Sequence, residues 1–263
     1  MPNPNSITPD GPRQRPCDLG VVFALGIEAG GFEDRLSGVL AIEGTPFTIK
    51  FGGLQGRHIV VILSGVGRDA AARATDALIA GHHPRLVISA GFAGGLNESL
   101  KRGDFLLPDR LLDLRGQSLD LDSSPALQTI ANRSDVHVGP LLTADRIISS
   151  SQEKCSLGEK YSALAVDLET IAVATICRRE QTPFVAVRII SDAIDDELPP
   201  DLDHLLKQQS MMGRLGAAAG AIFRRPSSLK EMWKLKERAI AQADRLAKFL
   251  ELLIADPTSS SQK

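Results

Sequence analysis

The stretch HIVVILSGVGRDAAARATDALIAGHHPRLVISAG (58–91) decides the fold. It opens with HIVVILSGVG, a short apolar run closed by glycine, the pattern of a strand buried on both faces. ARATDALIAGHH (72–83) reads as a helix, and RLVISAG (85–91) as a second buried strand. Strand, helix and strand in this order form a βαβ unit and argue for an α/β fold with a largely parallel sheet. Upstream, LGVVFALG (19–26) repeats the apolar run, and order is expected to begin near Leu19. Downstream, VHVGPLLTA (136–144) and TPFVAVRIISD (182–192) read as strands, while SALAVDLETIAVATICRRE (162–180) begins as a strand and turns helical near Glu169. GDFLLPDRLLDLR (103–115) reads as one or two strands broken at Pro108, the mark of a sheet edge. Residues 116–135 are polar and turn-rich and read as a loop.

The ends of the chain differ from this pattern. Residues 1–18 are expected to be a disordered tail, residues 19–255 one domain, and residues 256–263 a second tail. DLDHLLKQQSMMGRLGAAAGAIF (201–223) reads as a helix. After the break at Arg225-Pro226-Ser227, a long amphipathic helix is expected over 228–254. Its apolar face is Leu229, Met232, Trp233, Ile240, Ala243, Ala247, Leu250 and Leu253. Residues 224–248 carry eight Lys/Arg against three Asp/Glu. Such a helix can lie on a membrane surface, but a packed helix with a solvated outer face is the favoured reading.

Composition narrows the function. With 43% apolar residues, 24% charged residues and a net charge of -2, the chain can build a core and lacks the basic excess of a nucleic-acid binder. Three cysteines without paired spacing give neither a disulfide framework nor a zinc site. The five histidines form no HExxH, and His82-His83 beside Pro84 reads as a solvated turn. No metal site and no cofactor are expected. No apolar run reaches the roughly 20 residues a membrane span needs, no signal peptide is visible, and the chain reads as cytoplasmic.

Ligands of open α/β sheets bind beyond the carboxyl ends of the strands. Four strand ends carry suggestive residues: Gly26-Ile27-Glu28, the GFAGG turn (91–95), Val166-Asp167-Leu168-Glu169, and Ser191-Asp192. Asp192 suits either a cap or a catalytic carboxylate. Glu28 and Glu169 suit either a first helical turn or a site. GFAGG lets backbone approach a ligand closely, without the spacing of a Walker loop or a dinucleotide fingerprint. Arg188, inside an apolar strand, should have a carboxylate partner.

Five pieces in order, FALGIEA (23–29), LSGVGRDAAARAT (63–75), ISAGFAGGL with RGD (88–96, 102–104), AVDLET (165–170) and FVAVRIISDA (184–193), resemble the purine nucleoside phosphorylase and methylthioadenosine/S-adenosylhomocysteine nucleosidase superfamily. The resemblance covers residues 19–195. It implies a three-layer α/β/α sandwich around a central twisted mixed sheet, nucleoside phosphorylase-like. It implies a small nucleoside as substrate, cleavage of its glycosidic bond, and a homo-oligomer. Asp192 matches the aspartate that protonates purine N7, and Glu28 the glutamate that activates water. Glu169 matches the glutamate that holds ribose hydroxyls, and Leu168 replaces a methionine under the sugar. Gly91, Phe92, Ala93, Val166, Asp167, Ile147, Ile148 and Ser191 complete the implied substrate site. Asp167 stands for a common glutamate, and Ile147 for an aromatic that some nucleosidases set against the base. Phe92 stands where a phosphorylase has a serine for phosphate, which tilts the reading toward hydrolysis, with Arg68 the candidate phosphate ligand for the alternative. A non-catalytic nucleoside binder is the third reading. The long tail resembles the hopanoid-associated branch, which acts on a lipid-linked nucleoside.

Overall fold

The computed structural model describes residues 17–44, 47–122, 125–199, 202 and 226–255. Of the expected tails (1–18, 256–263), residues 1–16 and 256–263 lie outside these residues, as does nearly all of the expected 201–223 helix, whereas Cys17 and Asp18 belong to the fold, their N–H groups donating to His82 O and His58 O. Strands β1 (Leu19–Phe23), β4 (Arg57–Leu63), β5 (Leu86–Gly95) and β10 (Phe184–Asp192) are the buried runs seen in the sequence. β1 is parallel to both β4 and β5, and β5 is parallel to β10. A meander of β2 (Ser37–Glu43) and β3 (Thr48–Leu54) extends the sheet antiparallel from β4.

On the other side the sheet closes on itself. β6 (Phe105–Asp113), β8 (Val136–Thr143) and β9 (Ala165–Asp167) run from β10 round to β5. Because β5 also pairs directly with β10, these five strands form a ring. The sheet is therefore mixed, and β5 is the strand shared by its open part and its ring.

Alternation along β1 explains the layers. Val21 and Phe23 enter one apolar cluster and Val22 the other. The first cluster is covered by α1 (Gly26–Glu33) and α6 (Pro226–Ala255), the second by α2 (Arg68–His82) and α5 (Thr170–Arg179). Helices on both faces leave β1 no polar side, so all five of its residues are buried. Phe249 of α6 stacks on Phe105 of β6 with ring centroids 4.2 Å apart. Ala243, Ala247, Leu250 and Leu253 are buried as expected for a packed α6, together with Leu246 and Phe249. Among the described residues no helix is long and apolar enough to cross a membrane.

Four expectations need correction. β6 is no edge: it runs unbroken through Pro108 between β10 and β8. Pro108 is tolerated because the register with β8 shifts between Pro108 and Arg110, a bulge where a missing N–H does little harm. The expected loop at 116–135 contains β7 (Ser118–Asp120), paired with β6, and α3 (Pro125–Ala131). His82 is the last residue of α2, half-buried and edge-on to Phe51 at 5.2 Å, rather than in a solvated turn. Ile240 is 52% exposed and off the packed face of α6.

Removing the Phe249 ring should lower unfolding free energy by about 3 kcal/mol, the usual cost of emptying an aromatic core site. In urea denaturation, Phe249→Ala should shift the midpoint strongly, while Leu252→Ala, at a position 52% exposed, should move it little.

Candidate active site

Two carboxylates from distant parts of the chain meet the backbone of β5. A Cβ on Gly91 would lie 2.9 Å from Glu28 Oε1, and one on Gly94 would lie 3.0 Å from Asp192 Oδ2. The first contact is closer than real Cβ atoms come and the second is tight enough that the carboxylate would have to give way, so at Gly91 and Gly94 the carboxylates occupy the space a side chain would fill.

Glu28 sits in the first turn of α1, buried, with its carboxylate turned back on the chain. Oε2 accepts from the backbone N–H of Ala24 (3.1 Å) and Leu25 (2.9 Å), and Oε1 from that of Phe92 (2.9 Å). Burial raises its pKa above the ordinary glutamate value, and the N–H groups only partly offset this. The result is a fixed carboxylate more basic than one in water.

Glu169 precedes α5, half-buried, and its Oε1 accepts from Gly67 N–H at 2.8 Å. Gly67 has φ +97°, a conformation glycine adopts without strain, and it leads directly into α2. Burial and the neighbouring Asp167 charge push Glu169 up to about 8. Glu28, Glu169 and Arg188 line one pocket with Ser64, Gly91 and Phe92.

Arg188 has the partner expected of it. Its Nε and Nη2 lie 3.1 and 3.0 Å from Asp167 Oδ2, and its other donors reach Ser89, Val187 and Thr170 oxygens. Asp167 is equally committed, accepting also from Thr143 Oγ1 (2.8 Å), Thr170 N–H (3.0 Å) and Thr170 Oγ1. A buried pair this well satisfied holds its groups rigidly. Asp167 thus serves as an anchor under the site.

Asp192 lies outside this pocket lining, farther along β5. The register with β5 slips between Ile190 and Asp192, so Ser191 is an extra residue that re-aims the carboxylate. Ser191 Oγ lies 2.6 Å from Asp192 Oδ1 and 3.2 Å from Ala93 O. With one hydroxyl hydrogen, it donates to one of these at a time. On the other oxygen, Lys154 Nζ stands 2.5 Å from Oδ2. The two groups are in close contact without a directed hydrogen bond, since Nζ also donates to Ala193 O (2.9 Å) and Asp196 O (2.8 Å) and Oδ2 has no well-aimed donor.

The remaining residues named from the sequence are placed around these groups. Phe92 contributes its N–H to Glu28, and its half-buried ring packs on the core. Ala93 is buried beside Ser191. Val166 and Ile148 are buried in one apolar cluster, against which half-buried Leu168 packs, and Ile147 is half-buried next in sequence. Arg68 donates to Asp113 (2.7 Å) and Thr143 O (2.6 Å), with its Nε 3.0 Å from Asp145, so its guanidinium is occupied. Among the described residues no cluster of His, Cys, Asp or Glu could hold a metal ion.

Residues 18–225 match the phosphorylase superfamily. The chain belongs to this superfamily. A curated superfamily relative, the 5'-methylthioadenosine/S-adenosylhomocysteine nucleosidase of Staphylococcus haemolyticus, is 26% identical over 195 residues, covering 66% of this chain and 86% of the relative. The nucleosidase of the same name from Neisseria meningitidis, solved with methylthio-immucillin-A, superposes with TM-score 0.65 at 23% identity over 89% of this chain and 98% of its own. A Helicobacter pylori nucleosidase variant with 5'-methylthioadenosine in its active site gives 0.70 at 20% identity, covering 91% and 99%. Futalosine hydrolase of Helicobacter pylori gives 0.68 at 20%, covering 90% and 97%. These structures share the fold of this superfamily member.

Lys154 is the site residue the sequence reading missed. It lies on α4 (Ser151–Tyr161), in a segment that carried no assignment. The signal was present: Lys154, Leu157, Gly158 and Tyr161 follow i, i+3, i+4, i+7 spacing, which puts a lysine on a helix's inward face.

The raised Glu169 value makes a stability prediction. Its folded pKa exceeds the ordinary 4.5, so its favourable contribution is complete below about pH 4.5 and is lost as pH rises through about 8. Glu169→Gln keeps an acceptor for Gly67 N–H and removes the charge. Its melting temperature should exceed the parent's by a few degrees at about pH 9, and the gap should close toward pH 4.5. A constant gap across that range would show that Glu169 carries no such burden.

Proposed function

We propose that this protein is a nucleosidase that hydrolyses the N-glycosidic bond of a 5'-substituted, adenosine-like nucleoside, acting as a homo-oligomer. The observation that carries the reading is Glu28, a buried carboxylate fixed by three backbone N–H groups beside a second carboxylate, Glu169. Cleavage places positive charge on the ribose and negative charge on the departing base. Glu169 holds the ribose hydroxyls, and a cationic sugar beside it would draw its raised pKa back down and restore the carboxylate charge. Glu28 takes a proton from the attacking water. Asp192 gives a proton to N7 of the base.

Water fits this pocket better than phosphate. An incoming phosphate dianion would face Glu28 and Glu169, while Arg188 and Arg68 are both engaged by carboxylates. The Staphylococcus and Neisseria nucleosidases support the same substrate class: both are named for methylthioadenosine and S-adenosylhomocysteine.

The test is release of free base from methylthioadenosine, S-adenosylhomocysteine, adenosine, inosine and a lipid-linked adenosine, with and without phosphate. Release without phosphate is expected, from a 5'-substituted adenosine best. Release only with phosphate would replace hydrolase by phosphorylase. Asp192→Asn and Glu28→Gln should each lower kcat by about 10²–10⁴-fold. Gly91→Ala, which crowds Glu28 without touching its chemistry, should lower kcat by at least about tenfold. An unaffected Gly91→Ala enzyme would show that the placement of Glu28 is not critical.

A further inference from the structure

Lys154 is completely buried, 0% exposed, yet no step of the hydrolysis above uses it. Burying a long cation is unfavourable unless it is paired and hydrogen-bonded. Here both conditions are met at one place. Nζ donates to Ala193 O and Asp196 O and stands 2.5 Å from Asp192 Oδ2. The two carbonyls are themselves fixed, since Asp196 N–H donates to Ala193 O, and Asp196 Oδ2 accepts from Ala193 N–H and from Arg102. The helix carrying the lysine is seated by backbone contact: a Cβ on Gly158 would lie 2.2 Å from Leu96 O, just past the end of β5. One turn earlier on the same face, Lys154 points at the catalytic aspartate.

We propose that Lys154 is a positioning residue for the leaving-group acid, holding Asp192 Oδ2 in place and stabilising the carboxylate that Asp192 becomes when its proton passes to the base. The inference rests on the nucleosidase reading. The oxygen beside the ammonium is the unfavourable place for a proton, which puts the transferable proton on Oδ1. In the step, the Oδ1–H bond breaks and N7–H forms, while the C1'–N9 electron pair goes to the base. The negative charge left on Asp192 lies against Lys154. Ser191 fits both states: it donates to Ala93 O while Oδ1 is protonated, and to Oδ1 once the proton has left. A purely structural lysine, tying residues 193–196 to α4, would instead affect binding and stability independently of Asp192.

The experiment measures kcat and KM for base release by the wild type, Lys154→Met, Asp192→Asn and the double variant. Lys154→Met should lower kcat by about 10²-fold and leave KM within about threefold. The double variant should be no slower than Asp192→Asn alone, because the lysine acts only through the aspartate. Unchanged kcat in Lys154→Met, a rise in KM with kcat kept, or losses that multiply in the double variant would overturn the proposal. If Lys154→Met leaves an unpaired buried carboxylate and fails to fold, the comparison of Asp192→Asn with the double variant, which lacks both charges, decides the same question. A wild type that releases no base from any nucleoside overturns the nucleosidase reading, whereas an active wild type with an unaffected Lys154→Met overturns only the role of the lysine.

Discussion

Side-chain space along β5 governs this molecule. Gly91 and Gly94 leave the backbone bare where Glu28 and Asp192 approach it, and a larger residue at either position would push the carboxylate beside it out of place. β5 is also the strand where the open sheet and the closed ring join, paired with β1, β10 and β9. A strand locked by three partners cannot shift to relieve crowding. The two carboxylates are therefore placed by the most constrained part of the backbone, and their geometry inherits its rigidity.

The charge arrangement follows from the same constraint. Glu28, Glu169 and Asp167 are gathered around one guanidinium, and Arg188 is already saturated by Asp167 and its neighbours. Charging Glu169 beside Asp167 and Glu28 would put an excess of buried negative charge in the pocket, so burial and the adjacent carboxylate raise it to about 8. The same excess is what a cationic ribose would relieve.

Much of this was legible in the sequence, for identifiable reasons. β1, β4, β5 and β10 are covered on both faces, so they read as unbroken apolar runs. β2 and β3 form the outer meander, and β3 is only half-buried, so no such run marks it. β6 reads as an edge because Pro108 looks like a break, and only the β8 register reveals the bulge that accommodates it. At the site, Glu28, Glu169 and Asp192 stand at strand and helix ends where a carboxylate calls for an explanation. Lys154 does not stand out in that way. Lysine normally signals a solvated surface, and its meaning here depends on a backbone contact at Gly158 with Leu96, more than 60 residues earlier.

The choice of nucleophile can be argued without any relative. Phosphorolysis needs a site that attracts a dianion, through unpaired cations or converging N–H groups. In this pocket the N–H groups of Ala24, Leu25 and Phe92 converge, but Glu28 already occupies them. The protein has in effect filled its own anion site with a carboxylate. An anion tethered there would repel phosphate. The three N–H groups that could have bound an anion from solution thus hold a side-chain carboxylate instead.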